Sequence, residues 1–169
     1  MGKKLNILAF IIIGTVGTLW HFFYDWSNYN DIIGVFTPIS ESIWEHQKLI
    51  FYPTLIYSVF EYFAAGKRIK NYIPAVTAGI IAGIISMISL FYTYSGVLGF
   101  TVEAVNIAIF FVGLFITLAV RNCIIKNGVL ESKTAVFVSL FLLILLAVLF
   151  GVWSFNPPSI GLFTPPLNN

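Results

Sequence analysis

Residues 134–153 read TAVFVSLFLLILLAVLFGVW, twenty positions without one charged side chain. A run of about 20 apolar residues matches the hydrocarbon thickness of a bilayer at 1.5 Å per residue. Nothing in the run alternates with period two, so a lipid-facing barrel strand does not fit it. Four more segments extend the pattern. They cover residues 5–24, about 41–65, 72–92 and 100–120, and over the whole chain of 169 residues 59% are hydrophobic and 9% charged. Soluble domains carry about 25% charged residues. The expected fold is an all-α polytopic membrane bundle of five transmembrane helices, a single integral membrane domain over residues 1–169. Residues 154–169 form a proline-rich tail outside the cytoplasm.

The basic residues set the expected direction. Lys3 and Lys4 precede the first span, Lys67, Arg68 and Lys70 lie between the second and third, and Arg121, Lys126 and Lys133 surround the turn between the fourth and fifth. Five spans put these three places on one side, and the positive-inside rule makes that side the cytoplasm, with the N-terminus in and the C-terminus out. Trp20, Trp26, Trp44 and Trp153 gather at the opposite end as an aromatic belt. The expected location is the cell membrane and the expected partner is the lipid bilayer. The first apolar stretch is longer than a signal-peptide core and lacks an Ala-x-Ala site, so it reads as an uncleaved span. Asn6 argues against myristoylation of Gly2. Cys123 is the only cysteine, which excludes an internal disulfide and a cysteine-rich metal site. No basic groove, phosphate-binding glycine loop or dinucleotide fingerprint is present, so nucleic acid is not an expected partner.

Against this oil, residues 40–48, SESIWEHQK, crowd Glu41, Glu45, His46 and Lys48 beside Trp44. Thr37 suits a helix cap with Pro38 as first helical residue, and Pro53 predicts a kink near Leu49. Residues 38–48 then form either an interfacial turn or the top of the second span. In the first span Gly14, Thr18, His21 and Asp25 share a helical stripe and are expected to face the bundle. Ala75, Gly79 and Gly83 give a small-xxx-small ladder for helix packing. Glu103, Asn106, Phe110, Gly113 and Thr117 share a face of the fourth span. The fifth is aliphatic enough to be a lipid-facing brace.

Three spans thereby send His21, Asp25, Glu41, Glu45, His46 and Glu103 to one outer end. Imidazole and carboxylate suit a divalent metal such as zinc, iron or manganese, with His21, Glu45, His46 and Glu103 the candidate ligands. No HExxH spacing supports them. The plain alternatives are that Glu41 and Glu45 are solvated at a helix start, that Lys48 pairs with Glu45 one turn away, and that Ser42 and His46 share an ordinary hydrogen bond. Glu61 is expected to pair with Lys67 or Arg68. Residues 33–38, IGVFTP, are nearly repeated at 160–165, IGLFTP, which suggests a tail folded back beside the first outer loop as a lid.

The chain also resembles a group of small multi-pass bacterial membrane proteins, common in Clostridia-like genomes, whose function is unknown. The resemblance rests on His21 with Tyr24 and Trp26, on residues 36–48, and on residues 157–163. Where that group often has His after the tail's double proline, this chain has Ser159, so no ligand role carries over to the tail. The resemblance implies a membrane bundle and names no reaction. Three functions stay open: binding of a cation or small polar ligand at the outer cluster, with a transport-related role; interfacial metal-dependent hydrolysis of lipid-linked substrates; and a structural or accessory role.

Overall fold

The computed structural model describes residues 3–166, all helices and loops with no strand among the described residues. Met1, Gly2 and the last three residues lie outside them, as do the side chains of Lys3 and Lys4. Five principal helices run α1 Lys3–Trp20, α5 Lys48–Ala64, α6 Tyr72–Leu98, α7 Glu103–Asn127 and α8 Lys133–Phe155. Three short ones, α2 Phe23–Trp26, α3 Asp31–Phe36 and α4 Ile43–His46, fill the connection between α1 and α5. Single 3₁₀ turns follow α5, at Gly66–Arg68, and α8, at Gly161–Phe163. Three of the helices, α6, α7 and α8, are long and apolar enough to cross a membrane, while the apolar part of α1, Leu5–Trp20, is shorter.

The tightest contact joins α6 to α7, and it exists because both lack side chains where they touch. A Cβ at Gly79 would stand 2.5 Å from the Thr117 carbonyl, and one at Gly83 only 2.0 Å from Thr117 Oγ1. Met87 fills the space over Gly113, where a Cβ would meet its Cγ at 2.5 Å. Both helices end on a glycine with positive φ, Gly99 at +78° and Gly128 at +64°, the left-handed cap that only glycine adopts freely. Much apolar surface faces outward: Phe137 is 74% and Ile144 65% exposed. Apolar patches of this kind on a lone chain mark a surface that meets lipid or protein.

Several local expectations are corrected. α1 stops at Trp20, whose indole Nε1 donates to the Phe36 carbonyl at 2.9 Å. The helical stripe therefore does not reach Asp25. The buried face of α1 is Ala9, Ile13, Gly14 and Gly17, while Thr18 and Asp25 are exposed. No helix starts at Pro38. Thr37 instead closes α3, its N–H and hydroxyl both donating to the Ile33 carbonyl, and α4 starts at Ser42, whose hydroxyl accepts the Glu45 N–H at 3.3 Å. α5 then begins afresh at Lys48. Pro53 has no N–H to offer the Leu49 carbonyl. That carbonyl lies against Gly17, where a Cβ would come within 2.8 Å of it.

At the end bearing Lys67, Arg68 and Lys126, Glu61 pairs with neither Lys67 nor Arg68. Its Oε2 meets Arg121 Nη1 at 2.9 Å and accepts the Tyr72 hydroxyl at 2.6 Å. Arg121 also donates to Asn6 Oδ1 at 2.9 Å, tying α1, α5, α6 and α7 together. The buried Arg121 guanidinium offers Glu61 several donors in a fixed fork, whereas Lys67 and Arg68 lie exposed at the surface. α8 is largely exposed, yet Ser139, Leu143, Phe150 and Ser154 are buried, and Ser154 enters the site described next.

Candidate functional site

At the opposite end of the bundle, α4 carries polar groups on two faces, and the two faces do different things. On the inner face Glu45 is buried. Its Oε2 lies 2.9 Å from Lys48 Nζ and accepts the Ile39 N–H at 2.9 Å, while its Oε1 accepts the Ser154 hydroxyl at 2.7 Å. Lys48 is fully buried and also donates to the carbonyls of Gly34 and Thr37 and to Ser154 Oγ, at 2.8, 3.0 and 2.6 Å. The ammonium thus holds four acceptors from α3, its following turn, α4 and α8. Beside it Trp44 packs in tilted and edge-on contacts among Phe150, Trp153 and Phe163, ring centroids 4.7, 5.0 and 5.1 Å away. Phe163 belongs to the second copy of the repeated motif, so the tail does fold back, onto α4.

On the outer face three ligand-type atoms converge. His21 follows α1, Glu41 lies in the turn before α4, and His46 ends α4. One ligand atom from each falls within 4.8 Å of the other two. Glu41 bridges the imidazoles, with Oε1 3.7 Å from His21 Nε2 and Oε2 3.5 Å from His46 Nε2. Two ligands of a tetrahedral zinc at ~2.05 Å are about 3.3 Å apart, so the trio, spread over up to 4.8 Å, would have to draw together to close on an ion.

The protonation states follow from the surroundings, and all three groups lie outside the long helices. The hydrogen bond to Glu41 raises the His21 pKa, desolvation opposes it, and the charges of Glu41, Asp25 and Glu103 add to the rise. Glu41 is lowered, chiefly by that same hydrogen bond and then by the charges of the two histidines. His46 is pushed down by burial, which outweighs the Ser42 carbonyl and Glu41. Its Nδ1 lies 2.8 Å from the Ser42 carbonyl, which can only accept, so Nδ1 carries the proton. In the neutral ring Nε2 is then a bare lone pair aimed at a carboxylate oxygen.

Of the six residues singled out from the sequence, the structure brings His21, Glu41 and His46 together. It sends Glu45 to the opposite face of α4 and leaves Asp25 and Glu103 exposed, acting on His21 only through their charge. Of the four candidate metal ligands, Glu45 and Glu103 are therefore outside the trio and Glu41 takes their place. Ser154 and Arg121 went unnoticed as partners. Ser154 is a lone hydroxyl in an aliphatic helix and left no signal, whereas Ser42-x-x-Glu45 is a capping-box spacing that would have placed the start of α4.

Fold and site together define an all-helical bundle, with helices able to cross a membrane and an imidazole–carboxylate cluster at one end. Within that class the chain belongs to the family of unknown function DUF6512, whose pattern it matches over residues 1–168. No curated protein and no solved structure matches it.

Proposed function

We propose that this is a multi-pass membrane protein that binds a divalent cation, zinc foremost, through His21, Glu41 and His46 at its extracytoplasmic face. In this reading all five principal helices span the cell membrane, and α4 lies at its outer surface. The basic turns lie in the cytoplasm with the N-terminus, and the tryptophan-rich end faces out. The observation that carries the metal reading is the pair His46 Nε2 and Glu41 Oε2, two acceptors facing each other at 3.5 Å. Such a pair is repulsive unless a proton or a cation lies between them. A carbonyl-bound Nδ1–H is also how proteins orient a metal-ligating imidazole. Two nitrogens and one carboxylate oxygen leave a fourth position for water or ligand.

Binding is favoured over hydrolysis of a lipid-linked substrate. A hydrolase would also need a base held beside the metal-bound water, and the exposed Asp25 and Glu103 act on the cluster only through their charge. Glu41 is spent as a ligand and Glu45 is committed to Lys48 and Ser154. An accessory role without ligand requires a proton between His46 Nε2 and Glu41 Oε2, against the burial that pushes the His46 pKa down.

The test is zinc titration of detergent-purified protein, read by thermal unfolding and elemental analysis. One ion per chain and a stabilisation of about 2.7 kcal/mol at a hundredfold excess over Kd are expected. His46→Ala and Glu41→Gln should each weaken binding at least ~10-fold, and Glu103→Gln far less. Equal zinc response in His46→Ala and the unaltered chain would end the proposal.

A further inference from the structure

Six buried polar side-chain atoms lack a protein partner among the described residues, and four of them form one group: Thr54 Oγ1, Ser58 Oγ, Glu61 Oε1 and Arg121 Nε. Thr54, Ser58 and Glu61 stand at i, i+4 and i+7 of α5, one face of the helix over about 10 Å of its length. They are unusual within this chain. The hydroxyls of Thr77, Ser95 and Thr117 each bond back to the carbonyl four residues earlier in their own helix, at 3.0, 2.7 and 2.9 Å. That is the resting state of a hydroxyl in an apolar bundle. Thr54, fully buried, and Ser58, 4% exposed, do not adopt it.

Glu61 has the same asymmetry. Its Oε2 is saturated by Arg121 and Tyr72, while its Oε1, equally buried, accepts nothing from the protein. Buried polar atoms left dry cost roughly 1–3 kcal/mol each. Four along one helix face and its Arg121 neighbour are tolerated where water, which needs two to four polar partners, can reach them.

We propose that Thr54, Ser58, Glu61 and Arg121 form a second polar site that takes water, entered from the end bearing Lys67 and Arg68 and reaching the middle of α5. Glu61 and Ser58 lie in the last two turns of α5, next to that end, so the route is short. Beyond Thr54 it closes. Ile50 and Phe51, both fully buried, separate Thr54 from Gln47 and the imidazole cluster. The bundle thereby holds one polar site at each end and a dry aliphatic–aromatic layer between them. This site does not depend on metal at the other end, and it supplies the basic half with the polar lining that a route for small hydrated species requires.

The test uses full-length protein in sealed vesicles, with Cys123→Ser as background because Cys123 is exposed. Ser58→Cys and Thr54→Cys are probed with a small, membrane-impermeant, cationic methanethiosulfonate. Only a thiolate reacts, and a thiol ionises readily only where water reaches it. Ser58→Cys should react at least ~10-fold faster than Leu114→Cys, a fully buried apolar control, and only from the basic side. Thr54→Val, which keeps shape and removes the hydroxyl, decides the matter thermodynamically even where a cysteine variant fails to fold. A hydrated Thr54 loses a hydrogen bond and Tm falls; a dry, unpaired one is relieved and Tm rises. Labelling of Ser58→Cys as slow as the Leu114→Cys control, or a raised Tm for Thr54→Val, would overturn the proposal.

Discussion

Replacing Lys48 by Met is the sharpest perturbation of the end that carries α4. Methionine nearly matches the volume of lysine and carries no donor. The change leaves the Glu45 carboxylate without its counter-charge and the Gly34 and Thr37 carbonyls without their shared ammonium. Lys48 is fully buried and Glu45 nearly so, which means water cannot replace what is lost. Breaking a buried pair by removing one partner costs about 3–5 kcal/mol. At roughly 2–4 °C per kcal/mol for a chain of this size, Tm should fall by about 6–20 °C. The assay is thermal unfolding in detergent followed by tryptophan fluorescence, in which Trp44 reports directly from the affected helix. Adding Glu45→Gln removes the stranded charge and should recover part of the loss, so the two changes are strongly non-additive. Because the clamp positions α4, and His46 with it, zinc affinity should also drop about tenfold in Lys48→Met. A Tm decrease below 3 °C, or losses from the two single variants that simply add, would refute the clamp.

Two further outcomes follow from the same geometry. His21, raised by Glu41, contributes stability that is present below its unfolded pKa and lost as pH rises through its higher folded value. Glu41, lowered, contributes stability lost as pH falls through its depressed value. His46, also lowered, makes the opposite contribution to His21, since stability is lost as pH drops below its unfolded value near 6.5. Metal-free protein should therefore show a shallow stability maximum on the acid side of neutrality, and zinc binding should release protons and strengthen as pH rises through the His21 pKa; pH-independent zinc affinity between 5.5 and 8 (about the histidine range) would contradict these assignments. Gly83→Ala drives a methyl to 2.0 Å from Thr117 Oγ1, whereas Gly96→Ala meets nothing within 4 Å. Overpacking of the α6–α7 contact should cost about 1–3 kcal/mol or more, with Gly96→Ala neutral or slightly stabilising, both measured by thermal unfolding.

How much of this was legible in the sequence depended on the range of the interaction. The α8 segment, read as residues 134–153, is observed at Lys133–Phe155, because a charge-free apolar run carries its own boundaries. α6 and α7 run about two turns beyond their expected ends, since Ser95 bonds back to the Phe91 carbonyl of its own helix and Arg121 finds Glu61 inside the bundle. The entry to α5 stayed open between about Glu41 and Leu49 because Thr37-Pro38 and Ser42-x-x-Glu45 are competing start signals; the second starts the short α4, and α5 itself begins at Lys48. Glu61–Arg121 and Glu45–Ser154 link positions 60 and 109 residues apart. No local pattern encodes such pairs. Arg121 was read as one of many cytoplasmic charges, although it is the basic residue that α7 buries.

The division of labour on α4 has a physical logic. Glu41 is 63% exposed and sits on a turn, so on its own it would sample many positions. A ligand set works only when its atoms are held to within a fraction of an ångström. Four residues away the Glu45–Lys48–Ser154 network fixes α4 against α8, and the Trp44 ring contacts fix it against the tail. His46 is then held from both sides, by its own Nδ1–H to Ser42 and by the clamp that follows it. His21 comes from α1, whose last turn is pinned by Trp20 to Phe36. The two imidazoles thus reach the site from separately anchored elements, and the mobile carboxylate between them is the part free to adjust. In the proposed metal reading, that arrangement would suit capture and release of an ion better than permanent structural binding, because Glu41, the group most open to solvent, could leave first without unfolding anything behind it.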